Sequence, residues 1–403
     1  MEKSAILLYP VYSSLLTVTF ALQKYLFYRP AMPIDASLYQ IALTRIPQVG
    51  VITAKNLIAW CGGAEAVFRA KKATLLKVPG VGPGIVAEIH APEALKAAEQ
   101  ELVFMEKNGV TGLFYTDAAF PERLRSRIDC PVMVFFKGSD PALLEAERMV
   151  AIVGTRQISD HGKAICEEIV EGLLPYNVVM VSGLAYGIDI TAHRKATSIG
   201  MPNIGVLGHG LGSIYPASHK STALRMMENG GLLSEYLHNA GPDREHFPMR
   251  NRIISGLCEA LIVVETGLSG GSMISVEFAT KHNLDIFAVP GRPQDPQSAG
   301  CNRLIKQNRA KLIESAADVA ETMGWEKSGQ QKAVQAQLFP DLSPEEQQIV
   351  EIVRAHPHIA IDDLILAANK PPGEIATLIL HLEFKGLLKT QPGKRYLVMS
   401  YEL

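Results

Sequence analysis

The chain has 403 residues, 47% of them hydrophobic and 20% charged, with a formal net charge of −2. That length calls for two to four domains, and the composition excludes a disordered or fibrous chain. The near-neutral balance supplies no global attraction to nucleic acid, so any such site must be a local basic patch.

Residues 1–31 form an apolar leader. Lys3 precedes a mostly apolar run from Ala5 to Leu22, which looks superficially like a signal peptide. Pro10, Ser13, Ser14 and two tyrosines interrupt it, and no small-residue cleavage site follows. The expectation is a mis-assigned start, with translation beginning at Met32, and no membrane association.

Residues 32–100 read as short helices joined by glycine turns. Ile46-Pro47-Gln48-Val49-Gly50 and Val78-Pro79-Gly80-Val81-Gly82 are two copies of one pattern, with Gln48 where the second copy has glycine. The pattern resembles the helix-hairpin-helix module of a SAM-like domain, whose turn presents backbone N–H groups to a DNA phosphate. A plain αα-hairpin that needs glycine to turn reads equally well.

Residues 101–324 alternate strand and helix signals. Met133–Phe136, Val150–Val153, Val178–Val181, Ile204–Leu207, Leu261–Val264 and Ile286–Val289 are short apolar runs, and Gly162–Leu174 has helical period. This predicts an α/β, Rossmann-like, doubly wound domain with a mainly parallel buried sheet. Residues 325–342 are polar and Gln-rich, and read as a linker. Residues 343–403 open with Ser343 as N-cap and Pro344 at the first helical position. Helices near 361–368 and 373–385 and a hairpin around Pro392-Gly393 complete a winged-helix pattern.

Five glycine-bearing turns end apolar runs in the α/β segment: Gly154-Thr155-Arg156, Ser182-Gly183-Leu184, Gly208-His209-Gly210, Gly267 to Ser272, and Pro290-Gly291. In an open parallel sheet such turns line the edge where phosphate-bearing ligands bind. Glycine admits close backbone approach, and the next helix offers unpaired N–H groups to an anion. Arg156 follows the first turn, and the Thr155 and Ser182 hydroxyls can donate to phosphate oxygens. Phe247-Pro248-Met249-Arg250-Asn251-Arg252 adds two guanidinium forks and a ring on which a base can stack. The bland reading makes Phe247 core and pairs the arginines with acids. A second basic stretch, Arg292 to Lys311, faces only Asp295 along the sequence.

Catalytic patterns fit poorly. Gly154 to Lys163 is too long for a P-loop, and Ala164 stands where Ser or Thr is needed. Asp189 and His193 lack a third ligand, so capping or core hydrogen bonding outweighs a metal role. Ser182 has no nucleophile-elbow context. Five cysteines without a C-x-x-C pair argue against zinc and fit a reducing cytoplasm. No catalytic residue, metal or cofactor is expected.

Taken together, these motifs resemble the DNA-processing protein A family (DprA, also called Smf). The likeness runs through Val153 to Arg156, Ser182 to Asp189 with Ala192-His193, Tyr215-Pro216, Leu233 to Glu235, Phe247 to Leu257, Ser269 to Ser272 and Ala288 to Gly291. The chain departs from the family pattern at His219, at Met273 to Glu277 and at Asn308 to Ala310. The resemblance implies a non-catalytic single-stranded DNA binder that protects incoming DNA in natural transformation. It further implies loading of the RecA recombinase and action as a homodimer. By resemblance Arg156, Ser182, Gly183, Phe247, Arg250, Asn251 and Arg252 line the DNA pocket, beside Gly154 and Thr155, while Gly270 and Ser272 cradle a phosphate. The alternative is a phosphoribohydrolase-like nucleotide enzyme using the Gly270-Gly271 loop and Glu277. The tail's third helix, with few basic residues, is a poor major-groove reader.

Overall fold

The computed structural model describes residues 34–327, 342–356, 359–385, 387–391 and 395–398. The leader, residues 328–341 of the connector and the Pro392-Gly393 turn lie outside the described residues. Two compact units divide after Lys327.

The first unit opens with α1 (Ile34–Leu43), α2 (Val51–Cys61), α3 (Ala64–Arg69), α4 (Lys72–Leu75), α5 (Pro83–His90) and α6 (Pro92–Asn108). The two Pro-containing turns share one backbone shape. Gly80 has φ 82 and Gln48 has φ 63, so glutamine occupies the left-handed position that glycine holds in the second copy. Gly50 and Gly82 then serve as the N-caps of α2 and α5. Helix α6 runs straight through the boundary expected at residue 100. After Pro92 at its first turn its sequence holds no glycine or proline until Gly109, whose left-handed backbone ends it with an N–H bond to the Met105 carbonyl. Glu101 on α6 is 1% exposed and accepts from the His238 backbone N–H at 2.9 Å and from its ring at 2.6 Å. The His238 ring also stacks on Phe104 at 4.3 Å, which fastens the helical module to the α/β part.

There follow β1 (Thr111–Phe114), α7 (Glu122–Arg125), β2 (Met133–Gly138), β3 (Met149–Val153), α8 (Asp160–Leu173), β4 (Val179–Ser182), α9 (Ile188–Ser198), β5 (Asn203–Leu207), α10 (Lys220–Asn229) and β6 (Gly231–Ser234). Next come α11 (His246–Leu257), β7 (Ala260–Val263), α12 (Gly271–Lys281), β8 (Asp285–Ala288), α13 (Ala299–Lys306), β9 (Lys311–Leu312) and α14 (Ala316–Met323). The sheet order is β1-β2-β6-β5-β4-β3-β7-β8-β9. Strands β6 through β9 pair in parallel, while β2 is antiparallel to both β1 and β6. Strand residues alternate between two cores. Met149, Ala151 and Val153 pack with α11, α12 and α13, and Val150 and Ile152 pack with α8, α9 and α14. Helices on both faces bury the parallel strands, which is why those strands read as continuous apolar runs.

Trp325, assigned to the linker from sequence, packs with Tyr176 (centroids 6.4 Å) and under the Arg148 guanidinium, so the unit extends past residue 324. No helix among the described residues is long and apolar enough to cross a membrane.

The second unit comprises α15 (Pro344–Ala355), β10 (Ile359–Ala360), α16 (Ile361–Ala368), α17 (Pro372–Phe384), β11 (Leu388–Gln391) and β12 (Arg395–Val398). Its sheet order is β10-β12-β11, so three helices and a small wing form a winged helix. Ser343 and Glu346 close a reciprocal capping box at α15. Lys385 reaches both Glu346 oxygens at 2.7 and 2.8 Å, and with the capping bond holds that carboxyl below its usual range.

Candidate nucleic-acid interface

The strand order reverses between β3 and β7, because the chain winds from β3 through β4, β5 and β6 on one side before crossing back to β7. Ligands of open α/β sheets sit at such a switch point, beyond the carboxyl ends of the strands. A crevice of about 840 Å³ lies there. It brings together Gly154, Thr155, Arg156, Gly183, Phe247, Arg250, Asn251, Gly270 and Ser272.

The turn after β3 is held from both sides. The Thr155 N–H donates to the Glu265 carbonyl at 2.7 Å, and its own carbonyl accepts from Ile188 N–H at 3.1 Å. Gly187, at φ 79, packs so closely on this turn that any side chain there would strike the Thr155 carbonyl. The effect is to fix the backbone while Arg156 stays exposed at the crevice, with no ion pair among the described residues. Gly270, which also lines the crevice, is the N-cap of α12 and makes no side-chain cap hydrogen bond. The Met273 N–H turns back to the Gly270 carbonyl at 2.9 Å, which leaves the N–H groups of Gly271 and Ser272, with the helix dipole, to favour an anion. Ser272 is directed inward, donating to the Thr266 hydroxyl at 2.6 Å.

The neighbouring helix N-terminus is closed. Glu265, 3% exposed, accepts from the Ser159 N–H at 3.0 Å and from the Ser159 hydroxyl at the start of α8. A side chain on Gly162 would collide with that carboxylate. In a dinucleotide-binding fold this first helix receives the pyrophosphate. Here the protein's own carboxylate occupies the position.

Three of the sequence assignments are corrected by the geometry. Ser182 does not reach the crevice: it is fully buried, and its hydroxyl donates to the Ile152 carbonyl at 2.6 Å across adjacent strands. Arg252 points away from the crevice. Residues two apart on a helix lie about 200° apart around the axis, so when Arg250 faces the strand ends Arg252 faces Glu235, with which it forms a buried ion pair. The basic stretch from Arg292 to Lys311 meets more acid than its sequence neighbours suggest, because Arg309 pairs with Glu277 and Lys311 with Asp285, each at 2.7 Å.

Arg250 is a floor rather than a free fork. It is 4% exposed, and its guanidinium donates to the Gly183 carbonyl at 2.7 Å, to the Val206 carbonyl and to Asn251 Oδ1. Burial pushes its pKa down to about 10, with Asp189 opposing the shift. Asp189 is itself raised by burial, while Arg250 and the N–H groups of Ala185 and Gly183 pull the other way. His193 bonds Asn203 Oδ1 at 2.8 Å, and burial lowers it to about 4. Asp189 and His193 are thus spent on the scaffold, and no cluster among the described residues could hold a metal ion. Glu277 lies outside the crevice on the exposed face of α12, which removes the catalyst from the nucleotide-enzyme reading.

The sequence model of the DNA recombination-mediator protein A family matches residues 111–324. The chain belongs to that family. The DprA winged helix domain matches residues 333–394 in addition. Over 203 residues the chain is 40% identical to DNA processing protein DprA of Streptococcus pneumoniae, a span covering 50% of this chain and 71% of that one. Protein Smf of Escherichia coli is 31% identical over 308 residues, 74% of this chain and 80% of its own. The X-ray structure of DprA from Streptococcus pneumoniae superposes with a TM-score of 0.58 at 31% identity, covering 72% of this chain and 98% of that one.

One cation of the crevice escaped the sequence reading. Arg244 is exposed and lines the crevice with Arg156. In sequence it sits between Asp243 and Glu245 and reads as a neutral loop; only the fold turns it inward.

Proposed function

We propose that this protein binds single-stranded DNA in the switch-point crevice and leaves it chemically intact. The observation that carries the reading is the combination of exposed Arg156 and Arg244, neither in an ion pair among the described residues, with an open α12 N-terminus, beside an α8 N-terminus already filled by Glu265. A dinucleotide held in the usual way would need the filled position for its pyrophosphate, whereas a polymer backbone can run along the open one. Phe247 supplies a stacking face, and Thr155, Asn251, Gly270 and Ser272 supply polar and close-approach contacts.

Family membership supports extending the reading to protection of incoming DNA during natural transformation and to loading of the RecA recombinase. It also supports action as a homodimer in the cytoplasm. No acid–base pair is required of such a protein.

The test is a gel shift with single- and double-stranded oligonucleotides over a salt series. Arg156→Ala should weaken single-strand binding for all sequences alike and reduce the slope of log K against log salt by about 0.7, one released counterion. Binding unchanged at low salt would refute the assignment of the crevice.

A further inference from the structure

The crevice has a second chemistry on one lip. Tyr186 and Tyr215 both line it and are 50% and 48% exposed, which leaves two phenol rings open at the site. They are mounted, not loose. The Tyr186 ring stands edge-on to His219 at 4.9 Å, and its hydroxyl accepts from Ser218 at 3.5 Å. His219 is 2% exposed and bonds the Leu184 carbonyl at 2.9 Å, so the support beneath Tyr186 is rigid. Tyr215 lies 5.9 Å from Phe247, ring centre to ring centre, and its backbone N–H donates to the buried His209 ring at 3.2 Å. One short segment, residues 215–219, therefore carries the second ring and buttresses the first.

Scattered exposed tyrosines need no explanation, but two rings on fixed supports, sharing a crevice with the exposed Arg156 and Arg244, form a pattern. Arginines and helix N–H groups take phosphates, whereas an aromatic face takes a base. In a duplex the base faces are already stacked, so only an unpaired strand can use such rings.

We propose that Tyr186 and Tyr215 are base-stacking platforms that give the crevice its preference for single strands, with the backbone of the strand running along the arginine and α12 side. The inference rests on the single-strand reading above. Each ring contributes by stacking and not through its hydroxyl, and the contribution is independent of sequence because every base has a π-face.

The experiment compares an oligothymidylate with a strand of the same length made of abasic residues, both bound to the full-length protein. Wild type should bind the thymidylate strand at least tenfold more tightly than the abasic one. Tyr186→Ala and Tyr215→Ala should each lose about tenfold on the thymidylate strand and nothing on the abasic strand, with the salt slope unchanged. Tyr186→Phe and Tyr215→Phe should bind like wild type, which also controls for folding. Arg156→Ala should weaken both strands equally. Alanine variants that bind thymidylate as wild type does, while Arg156→Ala still weakens binding, would overturn the stacking role and leave the crevice assignment standing. Loss of affinity in the phenylalanine variants would overturn it in favour of hydroxyl contacts. A wild-type protein that retains neither strand would overturn both readings.

Discussion

Arg250 and Arg252 carry the same side chain, and in sequence they look like one fork repeated. The structure gives them opposite jobs. Arg250 ties together the ends of two strands through their carbonyls, while Arg252 is 4% exposed and paired with Glu235 away from the crevice. Taking one member from a buried ion pair strands the other charge, at a cost of about 3–5 kcal/mol. Arg252→Ala should therefore lower the unfolding free energy by that amount in denaturant titration, while the folded fraction binds DNA with wild-type affinity. Arg156→Ala should do the reverse. If Arg252→Ala weakened binding without loss of stability, its assignment to the scaffold would fail. The residue types of the site were legible, since arginines and an aromatic at a helix start announce themselves. Which arginine faced inward was not, because that depends on the rotation of α11 and on an acid 17 residues away. Ser182 misled for a related reason: a strand-end hydroxyl can face either the ligand or the neighbouring strand.

At the scale of elements, most strands lay within a residue of where apolar runs placed them, and the glycine turns mark their carboxyl ends. In the nine-stranded sheet the strands without such runs are β1, β6 and β9. Gly231–Ser234 holds two leucines behind a Gly-Gly pair, and Lys311–Leu312 is two exposed residues, so neither has an apolar run long enough to stand out. The helical module offers a sharper case. Its two turns are repeats, yet Gln48 holds a left-handed backbone where Gly80 costs nothing. A residue with a β-carbon pays roughly 1–2 kcal/mol in that region, offset in part by the smaller freedom it loses on folding. Gln48→Gly should accordingly stabilise the protein by about 0.5–1 kcal/mol, read as a rise in thermal midpoint. In the other direction, Gly80→Gln should destabilise by about 1 kcal/mol. A Gln48→Gly protein that melts below wild type would show that the side chain of Gln48 makes a contact worth more than the strain.

The molecule as a whole has a stability that follows its buried histidines. The class of fold could be read from alternating periods, but strand order could not, since β3 to β7 pairing joins residues about 110 apart with no local signal. The same long-range packing buries His193, His209, His219 and His282, and burial depresses the pKa of each. For His193 the folded value is about 4, against roughly 6.5 in an unfolded chain. The stabilisation from keeping it neutral is complete above pH ~6.5 and is lost as pH falls through that window, because the unfolded chain then binds a proton that the folded chain refuses. Across the whole interval this amounts to about 3 kcal/mol for His193 alone. Asp189 works in the opposite sense, its burial-raised pKa adding stability as it takes up its proton on acidification. A single variant separates the contributions. His193→Gln keeps a polar group towards Asn203 but removes the titration, so its plot of unfolding free energy against pH should be flatter than wild type by about 1 kcal/mol per pH unit between pH 6 and 5. Parallel slopes in the two proteins would mean that His193 charges freely in the folded state, and that the core beneath the crevice admits water.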